Sequence, residues 1–123
     1  LMKSTLATEQ LFSPSEYPLC ATSGTPTTVA ALKMGMTYAT YDPQKIHLAR
    51  VTLNDILYYH DYLLHLSHEK RSLLVGCGRE DLVITGLEIY LELMKILGHN
   101  ECIVLDEGLR EGVVLGHLRG VVL

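Results

Sequence analysis

Tryptophan is absent from this sequence, phenylalanine occurs once, and the three cysteines, Cys20, Cys77 and Cys102, lie far apart with no C-x-x-C pair. That spacing offers neither a zinc ribbon nor a dithiol redox site. Each thiol stands among apolar or small neighbours and reads as a buried free cysteine of a reducing compartment, the cytoplasm. Basic charge is also scarce: ten Lys and Arg against fourteen Asp and Glu give a formal net charge of −4. No positive field exists to gather nucleic acid or an anionic membrane surface. No apolar run approaches the roughly 18 residues of a membrane span, and Leu1-Met2-Lys3 does not open a basic-then-apolar secretion signal. The nucleophile elbow G-x-S-x-G is missing, as is the G-K-[ST] that would make Gly24-Thr25-Pro26 a Walker A loop. Serine-nucleophile and P-loop chemistry therefore have no support.

What is present is apolar matter in quantity. The 123 residues are 48% hydrophobic, enough for one domain over 1–123 and too few for two. Lys3 to Phe12 reads as a short helix stopped at Ser13-Pro14, and Pro18 to Thr22 as a brief strand. A helix follows from Pro26 to Lys33, with proline in its first turn and Gly35 just past its end. Tyr41-Asp42-Pro43 is a turn, and Lys45 to Val51 an edge strand or extended connector. Thr52-Leu53-Asn54-Asp55 has the form of a capping box opening a helix with Leu53, Ile56, Leu57, Leu63 and Leu64 at helical spacing. Ser67 restarts the pattern for a helix through Leu74, broken by Gly76-Cys77-Gly78.

Glu80 to Leu97 is apolar on more than one face, which predicts a largely buried helix, ended by Gly98 as a left-handed cap. Cys102 to Leu105 has the composition of a parallel strand covered on both faces, and Gly108 opens a last helix to Leu118. Few parallel strands among several helices make an α/β unit with right-handed crossovers. So small a sheet for so much apolar helix implies that the sheet continues in sequence outside this chain. A piece of a longer protein is the expectation, and unpaired strand edges predict self-association into a homodimer.

The stretch Ser23-Gly24-Thr25-Pro26-Thr27-Thr28 joins the first strand to a helix start. Helix amides and the hydroxyls of Thr25, Thr27 and Thr28 there suit an anion or nucleotide; equally, Ser23 or Thr25 is suited simply to cap the helix. Arg79 opens the longest helix, where the helix dipole prefers an anion. It either pairs with Asp81 or a neighbouring carboxylate, or offers its planar fork to phosphate or to a base. Arg110 and Glu111 belong to the first turn of the last helix, with Arg110 placed to bridge to Asp106 or to a partner in the other domain. His60, His65 and His68 lack the partners of a tetrahedral metal site, so they read as solvated surface, as does Lys70-Arg71.

Taken in order, SGTPTTVAAL, YDPQKIH, a Thr-led helix, Lys70-Arg71, GREDLVITG and DEGLREG resemble the second domain of the exopolyphosphatase / guanosine pentaphosphate phosphatase (Ppx/GppA) family over Tyr17 to Leu118. The resemblance implies part of a ribonuclease-H-like domain of the actin, Hsp70 and sugar-kinase superfamily. It implies a hydrolase removing terminal phosphate from polyphosphate or pppGpp, the nucleotide of the stringent response, with a divalent metal, magnesium by expectation, held elsewhere in the parent enzyme. The family's two phosphate-binding glycine loops and general-base glutamate lie upstream of the matched region. This sequence has no D-x-G-S and no G-G-G-S, so the catalytic N-terminal half is expected to be missing, with no catalytic residue and no metal site in this chain.

By the same resemblance Gly24, Thr25, Thr27 and Thr28 line the cleft on the second-domain side, and Arg79 faces the bound polyphosphate or guanosine penta- or tetraphosphate. Asp106, Gly108, Leu109, Arg110, Glu111 and Gly112 match the family's D-x-G-L-R-E-G signature. Leu48 departs from the family, which usually carries glycine after the histidine equivalent to His47. Two other readings stay open: a non-catalytic nucleotide-binding or regulatory module, and a sugar-kinase-like fragment whose loop holds adenosine.

Overall fold

The computed structural model describes residues 16–120. The helix expected over Lys3 to Phe12 lies outside the described residues. The chain runs β1 (Cys20–Thr22), α1 (Gly24–Lys33), a 3-10 turn (Tyr38–Thr40), α2 (Pro43–Ile46), β2 (Arg50–Thr52), α3 (Leu53–His65), α4 (His68–Val75), α5 (Glu80–Leu97), β3 (Glu101–Leu105) and α6 (Leu109–Leu118). The sheet order is β1-β3-β2. β1 pairs parallel to β3, with Ala21 opposite Val104. β2 pairs antiparallel, with Val51 opposite Cys102. The sheet is therefore mixed rather than parallel throughout.

Local chemistry explains most boundaries. Thr52 and Asp55 form the reciprocal box: the Asp55 amide donates to Thr52 Oγ1 at 3.0 Å and the Thr52 amide to Asp55 Oδ2 at 2.8 Å. Ser67 caps α4 by accepting from the Lys70 amide. Gly98 ends α5 in the left-handed region at φ 71°, where a Cβ would be strained. The stretch Lys45 to Val51, expected as an edge strand or extended connector, begins instead inside the one-turn helix α2, which Asp42 caps by accepting from the Gln44 amide. Only Arg50 and Val51 of that stretch enter a strand.

Among the described residues, helices cover one face of the sheet. Ala21, Val51, Cys102 and Val104 point into a core shared with Val29, Ile56, Leu63, Leu87 and Met94. On the other face Cys20 is exposed and Ile103 and Leu105 are half-buried. This corrects the expectation of a strand covered on both faces, and the alternation along each strand is its cause. It also corrects the cysteines: Cys102 is buried, its thiol pushed up to about 11 by burial first and then by Cys20 and Glu101, whereas Cys20 and Cys77 are exposed.

The burial of the helices is likewise redistributed. α5 buries a stripe of Val83, Leu87, Leu91 and Met94 and leaves Leu82 and Ile89 to solvent. In α1, by contrast, six consecutive residues, Pro26 to Ala31, are buried. Small side chains make this possible, because a Cβ on Gly86 of α5 would lie 2.2 Å from Thr25 Oγ1. The two helices approach as closely as they do only with glycine at that position.

Candidate functional site

The amino terminus of α1 stands at the carboxyl ends of β1 and β3, the position where open α/β sheets place ligands. Gly24 is the first helical residue, so the loop is shorter than the sequence implied. Ser23 precedes it at φ 105°, a left-handed value that a non-glycine residue adopts at a cost. No side chain caps the helix, which sets aside the simple capping reading for Ser23 and Thr25. The helix amides at Gly24 and Thr25 belong to the first turn, where no intrahelical acceptor exists.

The candidate residues divide by role. The Thr27 hydroxyl donates back to the Ser23 and Gly24 carbonyls at 2.9 and 3.1 Å, and the Thr28 hydroxyl to the Gly24 carbonyl at 2.6 Å. Both side chains are buried and hold the helix start in shape. Thr25 packs against Gly86. Arg79, just ahead of α5, donates through Nη2 to the Gly24 carbonyl at 3.2 Å and to Thr28 Oγ1 at 3.3 Å. Asp81, the expected partner of Arg79, is paired with Arg71 at 3.5 Å instead. Arg79 therefore has no carboxylate partner among the described residues, and only Nη2 of its three guanidinium nitrogens is engaged there.

Two cavities meet at this helix start. One of about 460 Å³ is lined by Thr27, Thr28, Tyr38, Tyr41, Val75 and Arg79, so two tyrosines and a guanidinium share a hollow with threonine and aliphatic side chains. The other, about 330 Å³, is lined by Thr22, Gly24, Thr27, Asp106, Gly108 and Arg110. Thr27 forms a wall of both. Tyr41 reaches between them, its hydroxyl donating to Asp106 Oδ1. Burial, then that hydrogen bond, pushes the phenol up to about 12. Arg110 does not bridge to Asp106 as expected. Glu111 accepts from the Gly108 amide at 2.8 Å, and that amide holds its carboxylate below the ordinary range.

Sequence reasoning missed Tyr38 and Tyr41 as site residues, reading Tyr41 only as part of a turn. The signal was their position between a helix end and a proline. Arg71 is also corrected: its side chain is mostly buried, and it donates to the Leu63, Leu64 and Leu66 carbonyls at the end of α3. The three histidines each face a carboxylate: His60 with Glu88 at 3.1 Å, His65 with Asp61 at 3.4 Å and His68 with Glu80 at 3.9 Å. Among the described residues, no three of His, Cys, Asp and Glu converge as metal donors. Among the same residues no helix is long and apolar enough to cross a membrane.

A sequence profile of the Ppx/GppA phosphatase family matches residues 5–120. The chain belongs to that family. Among solved structures, a Ppx/GppA family member from Aquifex aeolicus is 28% identical over 96% of this chain, with a TM-score of 0.74. Another Aquifex aeolicus Ppx/GppA enzyme structure is 31% identical over 93%, with the same TM-score. An exopolyphosphatase from Cytophaga hutchinsonii, 22% identical, shares the fold over 98% of this chain with a TM-score of 0.76. This chain spans only 39%, 38% and 38% of those three chains. A search of curated proteins finds no match. With these likenesses the α/β fold is placed as part of the actin-like ATPase fold, as the Ppx/GppA motifs implied.

Proposed function

We propose that this chain is the ligand-closing lobe of a Ppx/GppA phosphatase that hydrolyses terminal phosphate from polyphosphate or pppGpp. The observation that carries the reading is Arg79, which bonds the start of α1 without a carboxylate partner among the described residues and lines the larger cavity. Its unengaged nitrogens suit a phosphate oxygen or the face of a base. Gly24, Thr25, Thr27 and Thr28 contribute through the helix start they form: amides point outward and the helix dipole favours negative charge. Water attack on the terminal phosphoryl group belongs to the other lobe of the parent enzyme, together with the divalent metal that neutralises developing charge. Among the described residues no side chain is arranged to activate water, and the contribution of this lobe is to bind and orient. A cytoplasmic setting and a self-associating chain belong to the same reading.

The purified 123-residue chain, given polyphosphate or pppGpp with magnesium, is expected to release no phosphate. Turnover by this chain would overturn the assignment of the chemistry to another lobe. The tyrosine-lined cavity favours one further reading, a regulatory module that senses nucleotide. Calorimetry with ppGpp and ATP separates the two: tight, Arg79-dependent binding by the isolated chain supports the sensor, and absence of tight binding supports a half-site. A preference for ATP would instead favour a sugar-kinase-like fragment.

A further inference from the structure

We infer that Tyr41 is a positioning residue for the anion-facing cleft, holding the Asp106 carboxylate so that the β3–α6 corner presents amides rather than negative charge to a ligand. The inference rests on the phosphate-facing reading proposed above and adds a residue to it. Asp106 lines the smaller cavity together with Gly24 and Arg110, directly where an anion would meet the α1 amino terminus. A carboxylate there opposes the very ligand that the helix start suits. The Tyr41 hydroxyl donates to Asp106 Oδ1, and Tyr41 lines the larger cavity with Tyr38 and Arg79 whereas Asp106 lines the smaller one.

Two further contacts make the corner stiff. Glu111 accepts the Gly108 amide, and Thr22 Oγ1 donates to the Glu107 carbonyl at 2.9 Å. The corner itself is therefore tied down at Glu107 and Gly108, while the direction of the Asp106 carboxylate depends on the phenol. A hydrogen bond from a neutral donor spreads part of that charge away from the cleft. Loss of the donor leaves the carboxylate to swing toward the helix start.

The test is an NMR titration of the full chain with tripolyphosphate up to millimolar concentration at low ionic strength, following the amides of Gly24, Thr25, Leu109 and Arg110. Wild type is expected to show saturable shifts at these amides. Tyr41→Phe is expected to bind about tenfold more weakly, the effect of one partly screened charge. Asp106→Asn introduced into Tyr41→Phe is expected to restore wild-type affinity, and Asp106→Asn alone to bind at least as well as wild type. A purely structural role for the phenol would not be rescued by removing the charge. Binding by Tyr41→Phe equal to wild type overturns the inference while the site stands, and so does weak binding that Asp106→Asn fails to restore. No shift in wild type removes the anion-facing cleft and the inference with it. Should Tyr41→Phe fail to fold, Asp106→Asn alone decides: weaker binding than wild type overturns the inference.

Discussion

Replacing Gly86 by alanine adds a methyl group where α1 and α5 have no room for one. In an exposed helix the change stabilises by about 1 kcal/mol, because alanine loses less backbone entropy than glycine. Here the new Cβ would lie 2.2 Å from Thr25 Oγ1 and 3.2 Å from Thr25 Cβ. Rotation about χ1 can move the hydroxyl away, but the Thr25 Cβ is fixed to the backbone. The helices must separate, at the overpacking cost of about 1–3 kcal/mol. The balance is a net loss of about 1 kcal/mol, or about 4–8 °C in Tm for a domain of roughly this size.

Urea denaturation followed by circular dichroism measures the loss, with Gly112→Ala as the internal control. Gly112 lies in α6 with nothing within 4 Å of an added Cβ, so that substitution is expected to stabilise by about 0.5–1 kcal/mol. Thr25→Ala in the Gly86→Ala background removes the Oγ1 and Cγ2 contacts but keeps the Cβ at 3.2 Å, and is expected to recover only part of the loss. A Gly86→Ala protein stabilised to the same degree as Gly112→Ala would refute the close approach of the two helices, and with it the placement of the α1 amino terminus.

Leu48 occupies the left-handed region at φ 68°, is 62% exposed, and its amide donates to the Val104 carbonyl at 2.8 Å. Left-handed strain of about 1–2 kcal/mol outweighs the entropy that glycine adds to the unfolded chain, about 0.5–1 kcal/mol. Leu48→Gly is accordingly expected to raise stability by about 0.5 kcal/mol in urea, and a loss would show the turn to be relaxed with leucine. Burial raises the Asp55 carboxyl, but the Lys33 ammonium at 2.7 Å and the Thr52 amide and hydroxyl more than offset that and leave it below its ordinary value. A group lowered in the folded state binds protons more readily when unfolded, so its contribution is present above the unfolded value of 3.8 and lost as pH falls below it. Asp55→Asn is therefore expected to be less stable at pH 6 and to lose less stability between pH 4 and pH 2.5. An unchanged acid slope would show the pair to be idle.

The elements most legible in the sequence were those set by local chemistry. Thr52, Ser67 and Gly98 each act on backbone within a few residues of themselves, so composition and spacing suffice to place the helix ends. Burial was less legible because it depends on neighbours distant in sequence. Apolar residues all around α5 suggested envelopment, yet with helices on a single sheet face only one stripe of it meets the core. The short, small residues of α1, unremarkable as a string, are what allow it to be buried from Pro26 to Ala31. Strand direction was also beyond local reading, since β2 pairs antiparallel with a strand 51 residues away, Arg50 bonding Glu101.

In the candidate site, Gly24, Thr27, Thr28 and Arg79 emerged from motif order and do lie together. Tyr41 did not emerge. Its partner Asp106 is 65 positions later, and no periodicity links a turn tyrosine to the end of a strand.

In the proposed enzyme this lobe supplies ligand contacts through Arg79 at the α1 amino terminus. Arg79→Ala in a complete Ppx/GppA phosphatase carrying this lobe tests it most directly, with kcat/KM measured for polyphosphate and for pppGpp. Loss of a charge-assisted contact of about 2 kcal/mol predicts a fall of about 30-fold for at least one substrate, with the circular dichroism unchanged. Wild-type kcat/KM for both substrates in a folded Arg79→Ala enzyme would contradict the account.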